Sequence, residues 1–203
     1  MGSVGKRAEM STNTPKFNNQ KEIANYIQEK YGIKWQSSMS KLSLPFQQSI
    51  AEQMDRVFTE FPQATDYVTS IGTRHNSDTF MGLMHGGNKD GMLVIDDMYS
   101  RYDMANPTPT NGGFSVDYHH QLISHELGHA VARALGANAE YRAFKQGNVD
   151  TSKLVKISKY ANDMNTGERY AEAMGDYFIH GNRANSESIK VARATKELLE
   201  KKK

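Results

Sequence analysis

The pentapeptide HELGH occupies residues 125–129 and lies in a stretch whose apolar residues recur with the period of a helix. These apolar positions are Ile123, Leu127, Ala130, Val131 and Ala134. They predict a helix over residues 118–135 with one buried face, with Asp117 as its N-cap and Gly136 just beyond its end. Histidines four residues apart lie on the same face of a helix, so both imidazoles can reach one metal ion.

The glutamate of the pentapeptide lies beside the two histidines. Glu126 follows His125 by one residue, which turns its side chain by about 100° around the helix axis. A zinc ion bound by His125 and His129 at about 2.0–2.1 Å would therefore have a carboxylate next to it. A general base occupies that position when it takes a proton from a water whose pKa zinc has lowered to about 7. The pentapeptide therefore predicts Zn²⁺ as cofactor and Glu126 as catalytic base.

A catalytic zinc site of this kind needs a third protein ligand. The pattern HExxHxxGxxH is excluded because positions 132 and 135 hold Ala132 and Leu135, and a thiolate is excluded because the chain has no cysteine. A later stretch with a helical pattern, residues 167–180, contains three carboxylates spaced by four: Glu168, Glu172 and Asp176. Apolar residues surround these acids, which favours burial near a cation. We therefore expect one of them to be the third ligand.

The two stretches together resemble a known group of zinc peptidases. HELGHA followed by Glu-x-x-x-Asp/Glu is the gluzincin arrangement. The runs SKYA at residues 158–161 and ERYAEA at residues 168–173 resemble the lethal-factor-type metallopeptidases. That group includes the catalytic domain of anthrax lethal factor and the Pro-Pro endopeptidases, and the runs are also similar to zincin-like domains of phage and mobile-element proteins. The resemblance covers residues 118–180.

The resemblance implies a role for each later residue. Glu168 would be the third zinc ligand, Glu172 the carboxylate that orients a ligand histidine, and Tyr160 the hydroxyl that stabilises the oxyanion. Tyr160 precedes Glu168 by eight residues, whereas the family's tyrosine precedes its glutamate by seven. The alternative frame, in which Glu172 binds zinc and Asp176 orients the histidine, therefore stays open.

The rest of the chain predicts an α+β fold. Residues 1–19 are polar and aperiodic and predict a flexible arm, because such a segment buries too little apolar surface to offset its ordering entropy. Residues 20–203 predict a single zincin-like metallopeptidase domain. Predicted helices cover residues 20–31, 45–61, 118–135, 167–180 and a basic C-terminal stretch, and predicted strands cover residues 67–73, 79–84 and 92–95.

The predicted sheet is small, contains an antiparallel hairpin and packs on the HExxH helix together with the C-terminal helices. The turn signal at residues 85–91 joins the two strands of the hairpin. Residues 92–97 are a candidate edge strand that holds an extended peptide by strand addition, although the apolar run at residues 92–95 also favours a deeply buried strand. The lysine-rich C-terminus predicts a solvated helix end.

Charge and hydropathy limit the partners. The chain has 25 basic and 23 acidic residues and a net charge of +2, which favours neither nucleic acid nor an anionic membrane. No apolar run approaches the roughly 20 residues that span a bilayer, and the first ten residues lack the apolar core of a secretory signal. We therefore expect a protein that is cytoplasmic, phage-associated or released from a larger polypeptide.

These features predict a zinc-dependent endopeptidase acting on a peptide or protein. One alternative is a structural module of a phage or mobile element that keeps zinc for stability and cleaves little. Another is a toxin-like effector protease with one host target. An open coordination position for water would favour an enzyme over a structural zinc site.

Overall fold

The structure is a computed structural model that describes residues 14–74, 82–85, 91–96, 118–158, 161 and 165–202. The α-helices in these ranges are α1 (Gln20–Tyr31), α2 (Leu44–Glu60), α3 (Tyr118–Leu135), α4 (Ala139–Gln146), α5 (Thr151–Leu154), α6 (Thr166–His180) and α7 (Ser186–Glu200). The strands are β1 (Lys34–Trp35), β2 (Ser70–Arg74), β3 (Gly82–His85) and β4 (Met92–Asp96). Short 3-10 helices span Ser37–Lys41, Pro62–Tyr67 and Gly181–Arg183.

The predicted class of mixed helix and sheet is confirmed, with helix as the larger part. The four described strands form one sheet in the order β1-β2-β4-β3. β1 pairs with β2, and β2 with β4, in parallel, whereas β3 runs antiparallel to β4. Parallel neighbours need a long crossover connection, and α2 supplies one between β1 and β2.

Two strand predictions are wrong in detail. The predicted edge position is wrong for residues 92–96, because β4 lies between β2 and β3 in the described sheet and is bonded on both sides, whereas the burial predicted from the same apolar run is confirmed. Its residues Leu93, Val94 and Ile95 are all buried, as expected for a central strand that is covered on both faces. The strand predicted from Tyr67 starts later, since Tyr67 closes the 3-10 helix that begins at Pro62.

Helices α3 and α6 cross at very short range. A Cβ atom added to Gly128 of α3 would lie 3.1 Å from the Cα and the carbonyl oxygen of Ala171 of α6. One added to Gly175 of α6 would lie 3.3 Å from the backbone nitrogen of His125. Glycine at both positions therefore lets the two backbones touch, which brings the acids of α6 to the histidines of α3.

Residues 14–19, which fall in the predicted arm, pack on the folded domain. The ring of Phe17 lies 5.2 Å from the ring of Tyr26. The backbone nitrogen of Phe17 donates to Gln48 Oε1 at 3.1 Å. The hydroxyl of Thr14 donates to Asp55 Oδ2 at 2.7 Å. The apolar ring of Phe17 explains the contact, because α1 and α2 leave a site where it is partly buried.

The C-terminus caps the HExxH helix. Lys201 and Lys202 are exposed, in agreement with the predicted solvated helix end. Lys202 Nζ also donates to the carbonyls of Ala134 at 2.9 Å and Leu135 at 2.8 Å. The last carbonyls of a helix lack partners within the helix and favour a nearby cation. Lys202 therefore stabilises the end of α3. Among the described residues, none of the helices combines the length and the apolarity needed to cross a membrane.

Candidate metal centre

Helices α3 and α6 bring three predicted ligands to one point. His125 Nε2 lies 3.0 Å from Glu168 Oε2 and 3.2 Å from His129 Nε2. The third separation, between His129 Nε2 and Glu168 Oε2, is 3.4 Å. Three atoms bound to one tetrahedral zinc at about 2.0–2.1 Å lie about 3.3 Å from one another. The three side chains therefore have the spacing of one face of a zinc coordination sphere.

The chemistry of these atoms also fits a cation. His125 Nδ1 lies 2.7 Å from Glu172 Oε1, and a carboxylate accepts hydrogen bonds, so Nδ1 carries the hydrogen. In the neutral imidazole, Nε2 then holds a lone pair that faces Glu168 Oε2 and His129 Nε2. Such acceptors repel one another unless a proton or a metal ion lies among them.

Without a metal, a proton takes that place. Burial lowers the pKa of His125, but its hydrogen bonds to Glu168 and Glu172 outweigh burial and raise the pKa to about 10. The hydrogen bonds from His125 and His129 hold the pKa of Glu168 far below its usual range, despite partial burial. At neutral pH, the cluster without a metal therefore carries a proton on His125, and any metal ion that binds there would have to displace it.

Zinc uptake by the metal-free protein should therefore release at least one proton per zinc at pH 7–8, since His125 binds metal only as the neutral imidazole. The apparent zinc affinity should rise with pH, about tenfold per pH unit while one proton is displaced, and flatten above the pKa of about 10. Calorimetry in buffers of different ionisation enthalpy measures the released protons. A pH-independent affinity with no proton release would contradict the assignment of His125.

Glu172 lies on the opposite side of His125 from the cluster. It is fully buried, with Oε1 on His125 Nδ1 and Oε2 accepting from the hydroxyl of Ser158 at 2.6 Å. Glu168, by contrast, faces Nε2 of His125. This arrangement matches the frame in which Glu168 is the ligand and Glu172 orients the histidine.

Asp176 is not brought to the cluster. Its Oδ1 lies 2.7 Å from His180 Nδ1, and its Oδ2 accepts from the backbone nitrogen of Asn185 at 2.9 Å. These contacts fix the end of α6 to the turn that leads into α7. The alternative frame, with Asp176 as the orienting group, is therefore disfavoured by the geometry.

Glu126 lies on α3 in the turn between the two histidines and is only 6% exposed. Its negative charge helps to raise the pKa of His125, so the carboxylate acts on the cluster at short range. It is not one of the three residues whose possible ligand atoms lie together. Tyr160, the predicted oxyanion donor, lies outside the described residues.

Comparison with known proteins assigns neither a family nor a function to the chain. No protein family, curated protein or solved structure was found to match the chain. What the cluster can do must therefore follow from its own atoms and their surroundings.

Sequence reasoning missed the contact between Ser158 and Glu172. Ser158 stands in the SKYA run, but a single serine has no periodic signal, and its partner Glu172 lies 14 residues away on α6. The local part of this arrangement is the bond from the backbone nitrogen of Ala161 to Ser158 Oγ, at 2.9 Å, which is typical of a serine at a helix N-cap. A capping pattern in the sequence does not reveal the second bond.

Proposed function

We propose that this protein is a zinc-dependent endopeptidase of the gluzincin kind, similar to the lethal-factor-type enzymes. The observation that supports it most is the set of separations of 3.0, 3.2 and 3.4 Å among His125 Nε2, His129 Nε2 and Glu168 Oε2. A structural zinc site is closed by four protein ligands, whereas this cluster, taken from the described residues, has three. A site with three protein ligands keeps a position for water or substrate.

In this proposal, His125, His129 and Glu168 hold the zinc. The ion supplies Lewis acidity for a scissile carbonyl and makes a water acidic enough to react at neutral pH. The Glu126 carboxylate takes the proton from the attacking water and returns it to the nitrogen of the leaving amine. Glu172 accepts the Nδ1 hydrogen of His125 and so directs Nε2 toward the metal. Tyr160 remains the predicted donor to the oxyanion.

The backbone of β3 is the best candidate for binding the substrate. In the described sheet, β3 has a strand partner on one side, β4, and it also contacts α3. An extended peptide that adds to this edge by backbone hydrogen bonds would run along the helix that carries both histidines. We therefore propose β3, instead of β4, as the strand that aligns a substrate.

The proposal is tested first with metal and chelator. Protein purified without added metal should contain about one zinc per chain, because two histidines and a glutamate form a known zinc ligand set. Incubation with a proteome-derived peptide library should give cleavage that a chelator abolishes and added zinc restores. A protein that neither contains zinc nor takes it up on titration would exclude the function.

A second measurement separates an enzyme from a metal-stabilised module. A chelator lowers the thermal unfolding midpoint in both cases, because metal that binds the folded state stabilises it. Only an enzyme also gives zinc-dependent cleavage products. Zinc uptake with no product from any peptide pool would favour the structural alternative.

A further inference from the structure

Ser158 lies behind the candidate metal centre, two hydrogen bonds away from the ligand atom of His125. Its side chain is buried, and its Oγ donates to Glu172 Oε2 at 2.6 Å. The other oxygen of Glu172 lies 2.7 Å from His125 Nδ1. Ser158, Glu172 and His125 are therefore joined by two consecutive hydrogen bonds that end at the imidazole.

The direction of the Ser158 hydroxyl is fixed by a second bond. A serine hydroxyl has a single hydrogen and two acceptor lone pairs. The backbone nitrogen of Ala161 donates to Ser158 Oγ at 2.9 Å, which occupies one lone pair and leaves the hydrogen for Glu172. The bond to the carboxylate is therefore a charge-assisted one, as its length also indicates.

Ala161, whose backbone nitrogen donates to Ser158 Oγ, is itself attached to α6. The carbonyl oxygen of Ala161 accepts from Arg169 Nε at 2.9 Å. Arg169 follows Glu168 by one residue and precedes Glu172 by three, so it belongs to the helix that carries both carboxylates. The serine is thus held in place relative to the group that it contacts.

We propose that Ser158 is a positioning residue for zinc, acting through Glu172. This inference rests on the proposed function, since it takes His125, His129 and Glu168 to be zinc ligands. A glutamate side chain has three rotatable bonds, so the orientation of its carboxylate depends on the contacts that both oxygens make. The bond from Ser158 fixes the second oxygen, so Glu172 presents Oε1 to His125 in one orientation. Groups behind a metal ligand set its orientation and its affinity in this way.

A role limited to local structure makes a different prediction. Ser158 Oγ accepts from a nitrogen three residues later, which is the geometry of a helix N-cap. If capping were its whole function, Ser158→Ala would lower the thermal unfolding midpoint and leave zinc affinity unchanged. Zinc affinity, measured below the unfolding range, therefore separates the two roles.

The test is competition for zinc between each variant and a chromogenic chelator, with zinc as the only added metal. Ser158→Ala should bind zinc about tenfold more weakly, at the lower end of the 10–100-fold typical of such groups. Ser158→Thr keeps the hydroxyl and should restore affinity. Ser124→Ala is the matched control: its buried hydroxyl donates to Gln53 Oε1 at 2.8 Å, and its affinity should match wild type within about twofold.

A double-mutant cycle tests whether Ser158 acts through Glu172. If it does, Ser158→Ala should cause no further loss of zinc affinity in the Glu172→Ala background. Should Ser158→Ala fail to fold, Ser158→Gly takes its place, because glycine is tolerated at a cap and also lacks the hydroxyl.

Wild-type affinity in the folded variant, or losses that simply add in the cycle, would overturn the role of Ser158 and leave the proposed function standing. A wild-type protein that binds no zinc would instead overturn the proposed function, and this inference with it.

Discussion

Glu126→Gln should lower peptidase activity by about 10²–10⁴-fold, the usual contribution of a general base. Glutamine has nearly the same size and fills the same buried position, but its neutral amide cannot take a proton from water. Zinc content should stay near one per chain, because Glu126 is not a member of the His125, His129 and Glu168 cluster. The fold should also persist, since α3 keeps its packing against α6.

The measurement is kcat/KM on a peptide whose cleavage depends on zinc, together with metal analysis of the same preparation. Glu29→Gln is a matched control, since it makes the same change of charge at an exposed position of α1 and should leave both values unchanged. Loss of activity with full zinc content assigns the base. Cleavage at the wild-type rate would show that Glu126 has another role.

The sequence predicted which side chains of α3 and α6 come together better than it predicted the order of the strands. The positions of these side chains depend on local spacing: His129 follows His125 by four residues, and Glu172 follows Glu168 by four. Such spacings determine which side chains share one face of a helix. Gly128, inside the same pentapeptide, has no side chain, and the backbone of Ala171 of α6 lies directly against it.

Sheet order depends on contacts that no local pattern records. The two-residue strand β1 was not predicted, and its partner Ser70 lies 36 residues after Lys34. The apolar run of β4 indicated burial, but burial alone does not say whether a strand is central or at an edge. Strand pairing is decided by long-range packing, and the same holds for the bond between Ser158 and Glu172.

The second prediction with a large expected effect concerns Glu168, the proposed third zinc ligand. Glu168→Ala should weaken zinc binding by well over 10²-fold, because it removes an atom that lies 3.0 Å from His125 Nε2 and 3.4 Å from His129 Nε2. Glu172→Ala should cost about 10–100-fold, since it removes the partner of His125 Nδ1 but no ligand. Competition with a chromogenic chelator at one pH ranks the two variants.

Asp176→Ala is the third variant of this comparison, and its effect should differ from those of Glu168→Ala and Glu172→Ala. Its carboxylate contacts His180 and the backbone nitrogen of Asn185, away from the cluster, so zinc affinity should be unchanged. The variant should nonetheless lose stability, by about 1–3 kcal/mol, because a buried carboxylate and its two partners lose their hydrogen bonds. Denaturant unfolding of the zinc-loaded protein measures that loss. If Glu172→Ala proved the most damaging to zinc binding and Asp176→Ala the intermediate case, the ligand set would be displaced by one helical turn along α6, and Glu172 would be the residue that binds the metal.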